Sequence, residues 1–418
     1  MIHHFIGYQC RKEFAAAMRF DEKESPSLPQ AGAEKYPRLL YLHVPFCEKL
    51  CPYCSFNRVL FDENLCRSYF HALRKEIRLY REMGYDFESI YVGGGTPTVL
   101  PDELRETLSV ARDCFGIREV SVETNPNHLT EKNVLLLQEA NVNRLSVGVQ
   151  SFNDDLLKKV DRYEKYGSGE SVARRLKELQ GSFDTLNVDM IFNFPGQNME
   201  MLKRDLDVLQ KIDIDQITFY PLMVSDMTRN RMTEALGAAK GNREKKFYQT
   251  IVRTLLPAYR FSSAWCFSKA RTKAMIDEYI VNYDEYAGLG SGSIGYLQGI
   301  CYANTFHIPT YIERLSKGQL PVMAARTFSL RDRIRYDFLM RLFSGSLNLK
   351  DLEEKYRNHL YKNLWLDIVL FSLIGSIRYL SDDYRLTYGG RYTWVVMMRE
   401  FFTAVNNFRD FCRNQMAD

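Results

Sequence analysis

Residues 41–56 read Tyr-Leu-His-Val-Pro-Phe-Cys-Glu-Lys-Leu-Cys-Pro-Tyr-Cys-Ser-Phe. The apolar run from Leu39 into Pro45 predicts a buried strand that the proline ends. Directly behind it stand Cys47, Cys51 and Cys54, spaced Cys-x3-Cys-x2-Cys. Three thiolates this close can hold three irons of a [4Fe–4S] cluster and leave the fourth iron open to another ligand. A structural zinc site is the alternative. Zinc normally takes four closed protein ligands, so a fourth would have to come from His43 or from far away in the chain.

Outward from this stretch a rhythm sets in. Apolar runs at Leu39–Pro45, Ser89–Gly93, Glu119–Glu123, Arg144–Val149, Thr185–Phe192 and Gln216–Pro221 predict strands. Between them Glu63–Met83, Pro101–Phe115, Glu131–Ala140, Asp154–Val160, Ser168–Gln180 and Met199–Lys211 predict helices. Strand and helix in alternation imply parallel strands with right-handed crossovers. The fold class expected is α/β, a partial (β/α)6 barrel, with ligands at the C-terminal ends of the strands.

The remainder divides by composition. Residues 1–37 predict an N-terminal extension, with linker-like Glu24–Ala33, before a barrel domain at 38–235. Residues 236–325 predict a connecting or substrate segment, with a connector at Ala238–Glu244 and five glycines within Glu285–Gly299. Residues 326–418 predict helices, a hairpin turning at Ser381-Asp382-Asp383 and a last helix, a winged-helix-like arrangement. In that last helix the apolar residues of Arg391–Phe402 suit a core, or a lid over a flat substrate.

The chain has 418 residues, with 56 Lys+Arg against 52 Asp+Glu, a net charge of +4. That balance argues against a nucleic-acid partner. The longest apolar run, Leu364–Gly375, contains Asp367 and is too short to span a bilayer. With no signal peptide evident, a cytoplasmic location is expected. Nine cysteines, an odd number, fit a disulfide framework poorly.

Further polar residues fall at predicted strand ends. Gly93, Gly94, Gly95 and Thr96 follow the second strand, where glycine lets backbone approach a ligand closely. Glu123 ends the third strand, Gln150 the fourth, and Asp189 lies inside the fifth. Such residues need partners, either structural hydrogen bonds or a ligand.

The Cys-x3-Cys-x2-Cys motif at the first strand of such a barrel resembles the radical S-adenosylmethionine superfamily. The stretches Tyr41–Cys47, Gly93–Pro97, Glu123–Pro126, Leu145–Phe152 and Phe194–Gln197 resemble its coproporphyrinogen dehydrogenase/heme chaperone (HemN and HemW) branch. The likeness resumes at Gly288–Tyr296 and Tyr311–Leu315. It implies a [4Fe–4S] cluster on Cys47, Cys51 and Cys54, whose open iron takes S-adenosylmethionine and cleaves it to a 5′-deoxyadenosyl radical. It implies that Gly93, Gly94, Gly95 and Thr96 form the methionine-binding stretch and that Tyr41 sits against that molecule. It further implies that Glu123, Gln150, Arg162 and Asp189 contact S-adenosylmethionine, two copies being expected. Arg162 and Gln150 are expected away from the cluster, at the second copy.

Two departures shape the expected function. Phe56 stands where the dehydrogenase carries a further cysteine. Ile276–Val281 and Ile294 stand where the chaperone has a His-Asn-x-x-Tyr-Trp stretch and a His. The resemblance is therefore closest to methyltransferase-like members, implying methyl or methylene transfer to a tetrapyrrole or another unsaturated substrate. Heme carriage and oxygen-independent coproporphyrinogen III oxidation are the alternatives. Such an enzyme would draw electrons from a flavodoxin or ferredoxin. Asp277, Glu278, Tyr279 and Tyr283–Tyr286 lie where a substrate is expected, or form only a polar loop on the barrel.

Overall fold

A computed structural model describes residues 2–20, 27–32, 37–237, 243–270, 272, 275 and 279–415. The six expected parallel strands are β1 (Arg38–Val44), β2 (Ser89–Gly94), β3 (Glu119–Thr124), β4 (Arg144–Gln150), β5 (Thr185–Phe192) and β6 (Gln216–Pro221). Each neighbouring pair runs parallel. Helices Glu63–Glu82, Pro101–Cys114, Glu131–Glu139, Gly169–Glu178 and Met199–Ile212 cross between them. Asp62, Thr130, Ser168 and Asn198 each accept a backbone N–H of the first turn of the helix that follows. Every residue of β1 is buried, as a strand covered on both faces must be.

The sheet continues past the six strands. On the far side of β6 come two short antiparallel strands, β7 (Arg260–Phe261) and β8 (Cys266–Ser268). On the other side β9 (Glu285–Leu289) pairs parallel with β1. An antiparallel run of β10 (Ile294–Leu297), β11 (Ile300–Asn304) and β12 (Val322–Thr327) follows. The spatial order is β12-β11-β10-β9-β1-β2-β3-β4-β5-β6-β8-β7. The glycine-rich stretch is thus sheet and tight turn. Gly288 is required because a Cβ there would lie 2.2 Å from the Ile294 carbonyl oxygen.

Helices Leu330–Phe343, Leu349–Tyr356 and Leu360–Leu373 precede a hairpin, Ile377–Leu380 with Asp383–Leu386, which also pairs with Ser346–Asn348. This is the winged-helix-like domain. The hairpin turn is a two-residue loop, Ser381-Asp382, both at positive φ, with Asp383 already in the strand. The last helix spans Tyr388–Gln415 and buries Trp394, whose indole donates to the Leu339 carbonyl at 3.0 Å.

Residues 2–17, read from composition as part of an extension, form a helix packed on the last one. Arg11 binds Glu400 at 2.7 Å, and Gly7 lets the two helices approach. The expected connector at 238–244 and the expected substrate residues Asp277 and Glu278 lie outside the described residues, except for 243 and 244. Of the expected linker, 27–32 is described, and the Pro29 carbonyl accepts from Tyr85 at 2.9 Å. Among the described residues no helix is long and apolar enough to cross a membrane.

Candidate functional site

Pro45 ends β1, and the chain folds back on itself. Phe46–Cys47 pairs parallel with Val59–Leu60, closing a loop that holds all three cysteines of the motif. Arg58 pins the loop from inside by donating to the carbonyls of Cys51 at 2.6 Å and Cys54 at 2.7 Å. The three residues are free thiols on the wall of one cavity. Burial pushes the Cys47 thiol up to about 12, so ligation is what would remove its proton.

His43 is not available as a zinc ligand. The Asn57 carbonyl can only accept, so Nε2 donates to it at 2.9 Å, and Nδ1 accepts from the Tyr41 hydroxyl at 2.8 Å. Burial holds the imidazole down at about 4, neutral. Among the described residues no three His, Cys, Asp or Glu side chains are drawn together as ligands of a single ion.

The glycine run that ends β2 is a cradle with no room for side chains. A Cβ on Gly95 would lie 2.6 Å from the Phe46 carbonyl oxygen, and one on Gly93 2.7 Å from Glu123 Oε1. Gly94 has φ +118° and would drive a Cβ to 2.7 Å from the His43 ring. Glu123 accepts from the Gly94 N–H at 3.1 Å and the Tyr91 hydroxyl at 2.8 Å. Thr96 sits behind the cradle with its hydroxyl 3.7 Å from Cys47 Sγ.

Asp189 accepts from Ser146 at 2.7 Å and from Asn187 at 2.8 Å, fixing a carboxylate on the cavity wall. Gln150 has φ +72°, at an irregularity in the β4–β5 register. Bulges and left-handed residues of this kind collect at binding sites. Arg162 departs from expectation, because it touches the cysteine loop. Its Nη1 lies 3.5 Å from Cys51 Sγ, and its Nη2 donates to Asn125 Oδ1 at 3.0 Å and to the Gly148 carbonyl. The reason is the turn after Asp154–Lys159, which brings the chain back over the strand ends; Arg162 directly precedes the short helix Tyr163–Tyr166 and makes no side-chain capping bond to it.

Of the residues expected at the site, Tyr41, Cys47, Cys51, Cys54, Gly94, Gly95, Glu123, Gln150, Arg162 and Asp189 line one cavity of about 620 Å³, while Gly93 and Thr96 support it from behind. The rest of the wall is rich in rings. Tyr41, Tyr91 and Tyr279 pack with centroids 5.1–6.2 Å apart, joined by Tyr286 against Tyr279 at 5.4 Å. Phe401 and Phe402 of the last helix and Phe14 of the first also face it. In the Arg391–Phe402 stretch, Trp394 and Met398 are core, the first expected role, and Phe401 and Phe402 are on the cavity wall. Sequence reading missed Arg58, Asn125 and Arg409. Only Asn125, in Glu123-Thr-Asn-Pro, stood in a motif already singled out.

The thiol triad, the cradle that admits no Cβ and the cations Arg58 and Arg162 beside the sulfurs fit an iron–sulfur cluster with an amino-acid-bearing ligand next to it.

The model of the radical SAM superfamily matches residues 41–209. The heme chaperone HemW of Bacillus subtilis is 29% identical over 331 residues, covering 76% of this chain and 86% of that protein. HemW of Lactococcus lactis is 31% identical over 285 residues, 66% of this chain and 74% of the relative. The oxygen-independent coproporphyrinogen III oxidase of Pseudomonas aeruginosa is 24% identical over 413 residues, 90% of this chain and 89% of that one. Among solved structures, coproporphyrinogen III oxidase (HemN) of Escherichia coli superposes with a TM-score of 0.74 over 93% of both chains, at 19% identity. That likeness shows the fold.

Proposed function

This chain belongs to the radical S-adenosylmethionine superfamily, in the branch of HemW and the oxygen-independent coproporphyrinogen III oxidase, and from that premise we propose that it binds a [4Fe–4S] cluster on Cys47, Cys51 and Cys54, takes S-adenosylmethionine beside it, and handles a tetrapyrrole in the adjoining cavity. One observation carries this reading: the three thiols, the Gly94–Gly95 turn, Glu123 and Asp189 all open on the same ring-lined space. When bound, the cluster and S-adenosylmethionine supply one-electron cleavage of a sulfonium bond. The chain's residues hold and shield. Gly94 and Gly95 allow close approach, and Glu123 and Asp189 present fixed carboxylates to an amine or ribose. The first and last helices add Phe14, Phe401 and Phe402 to the cavity wall. The electron would come from a one-electron donor such as a flavodoxin or ferredoxin.

For the outcome, the relatives reported above are named for heme carriage and coproporphyrinogen oxidation, which supports those activities over the methyl transfer expected from sequence. Phe56, in place of the dehydrogenase's further cysteine, weighs against oxidation. Heme carriage is therefore the leading reading. Ile294, on the cavity wall, offers no ligand atom, so a heme there would be held by other residues of the wall, among which are Cys301, Met223 and the tyrosines. Methyl transfer requires the second S-adenosylmethionine that the resemblance implies, and heme carriage does not.

Anaerobic reconstitution tests the reading first. About four irons per chain are expected, and none in Cys47→Ala. Full iron content in the triple alanine variant refutes it. Dithionite and S-adenosylmethionine should then yield 5′-deoxyadenosine. Heme titration, followed at the Soret band, separates the outcomes. Tight stoichiometric binding without S-adenosylhomocysteine supports carriage. Release of S-adenosylhomocysteine with methyl label in the porphyrin supports transfer.

A further inference from the structure

The last helix places Arg409 on the cavity wall, with its guanidinium carbon 4.8 Å from the centroid of the Phe56 ring. Nη1 donates to Asn406 Oδ1 at 2.9 Å, one turn back on the same helix, while Nε is buried without a partner. Other cations on this wall are more fully bonded, although Nε of Arg58 and Nε of Arg162 are also buried without a partner. Arg58 binds two carbonyls, and Arg162 binds Asn125 and the Gly148 carbonyl. Arg326 binds the carbonyls of Ala16 and Ala17, Arg335 pairs with Asp367, and Lys49 pairs with Asp161. Among the described residues Arg409 makes a single hydrogen bond, to the neutral Asn406 amide, where Arg58, Arg162 and Arg326 each make two or more. Burial pulls its pKa down from the usual value, with the Arg413 charge adding to this. A charge taken out of water without a counter-ion is costly, and this one lies beside Tyr41, Tyr279 and Cys54.

We infer that Arg409 is the anion-holding residue of this cavity and that the group it takes is a ligand carboxylate. A planar guanidinium matches a carboxylate through two parallel N–H bonds, and Nε with one Nη forms such a fork. The Phe56 ring lies beneath it. The inference rests on the tetrapyrrole and S-adenosylmethionine reading given above. Two sources carry that chemistry: the methionyl carboxylate of S-adenosylmethionine and a carboxylate side chain of the tetrapyrrole.

The test uses the full-length, anaerobically reconstituted protein as wild type, Arg409→Gln, Arg409→Lys and Arg413→Gln. The last variant removes the 3.0 Å bond to the Phe56 carbonyl and leaves the cavity cation in place. Probes are S-adenosylmethionine by calorimetry, and mesoporphyrin as free diacid and as dimethyl ester by fluorescence. If the tetrapyrrole is the source, Arg409→Gln weakens free-acid binding about tenfold or more, towards the level of the ester, and leaves the ester and S-adenosylmethionine unchanged. If S-adenosylmethionine is the source, its affinity falls by that factor and both porphyrins are unchanged. Either result supports the assignment. Arg413→Gln reproducing the loss would overturn it in favour of loop latching. Wild-type binding that is unchanged in Arg409→Gln overturns the inference alone. Wild-type protein that binds neither probe overturns the proposed function and the inference with it. Should Arg409→Gln lose its iron, Arg409→Lys is read with the same contrast, because it keeps the charge but not the fork.

Discussion

Arg162 Nη1 lies 3.5 Å from Cys51 Sγ. The contact closes a chain around the cysteine loop. From Cys51 it runs through Arg162 to Asn125, from Asn125 Nδ2 to Thr96 Oγ1 at 2.8 Å, and from Thr96 to Cys47. Two of the three thiols are thus tied by side chains from the ends of β2 and β3 and from the turn after the helix Asp154–Lys159. The helix Glu63–Glu82, which directly follows the loop, takes no part in that chain.

Arg162→Ala should therefore act on the cluster. A lost charge-assisted bond of about 1.5–3 kcal/mol corresponds to roughly a tenfold to hundredfold fall in 5′-deoxyadenosine formation. The cluster potential should move negative, because a cation beside the sulfurs favours the reduced state. Potentiometry with paramagnetic resonance checks this. If S-adenosylhomocysteine also forms, both products should fall together; its selective loss would return Arg162 to a second S-adenosylmethionine.

Gly95→Ala and Gly93→Ala should differ. The first places a Cβ 2.6 Å from a backbone oxygen of Phe46, which moves only with the loop; the second meets the Glu123 side chain, which can turn away. Gly95→Ala should cost about 1–3 kcal/mol by overpacking and lose most of its iron. Gly93→Ala should keep its iron and bind S-adenosylmethionine weakly. Iron assay and calorimetry decide; equal iron loss in both would count against the cradle.

Gly7→Leu should lift the first helix. A Cβ at Gly7 already lies 3.3 Å from Val396 Cγ1, and leucine adds three carbons. Phe14 and Met18 would then leave the cavity wall. The expected result is a lower melting temperature and stronger binding of an apolar dye, with iron content unchanged. Unchanged dye binding would mean that the helix does not cover the cavity.

Glu76 should give stability a pH dependence. It is fully buried and accepts from Gly290 N at 2.8 Å, Tyr311 at 2.5 Å and Asn304 at 2.8 Å. Burial nevertheless raises its carboxyl from 4.5 to about 7. The folded state therefore holds a proton that the unfolded state releases between those values, and stability falls as pH rises across that window. The advantage of wild type over Glu76→Gln should narrow by on the order of 3 kcal/mol from pH 4.5 to 7 and then level off. Paired melts across pH decide. The pair is compared because His43, held neutral at about 4, pushes stability the other way.

The six parallel strands, their crossover helices and the cysteine motif were legible in sequence because each rests on local signals. These are apolar runs of strand length, side-chain caps such as Asp62 and Asn198, and ligand spacing within one loop. The hairpin at Ile377–Leu386 was legible for the same reason. The place of Glu285–Thr327 was decided only by the tertiary structure. β9 joins β1 through pairing such as Tyr41 with Gly288, across more than half the chain, which no local periodicity encodes. Residues 2–17 lacked a strong signal because their packing depends on Gly7 meeting Val396 and Arg11 meeting Glu400. Arg162 and Arg409 illustrate the same limit. Sequence shows two arginines; only folding brings one to Cys51 and the other, without a counter-ion, over Phe56. A charge acquires its role from the groups that desolvate and face it, and in this chain those groups come from distant segments.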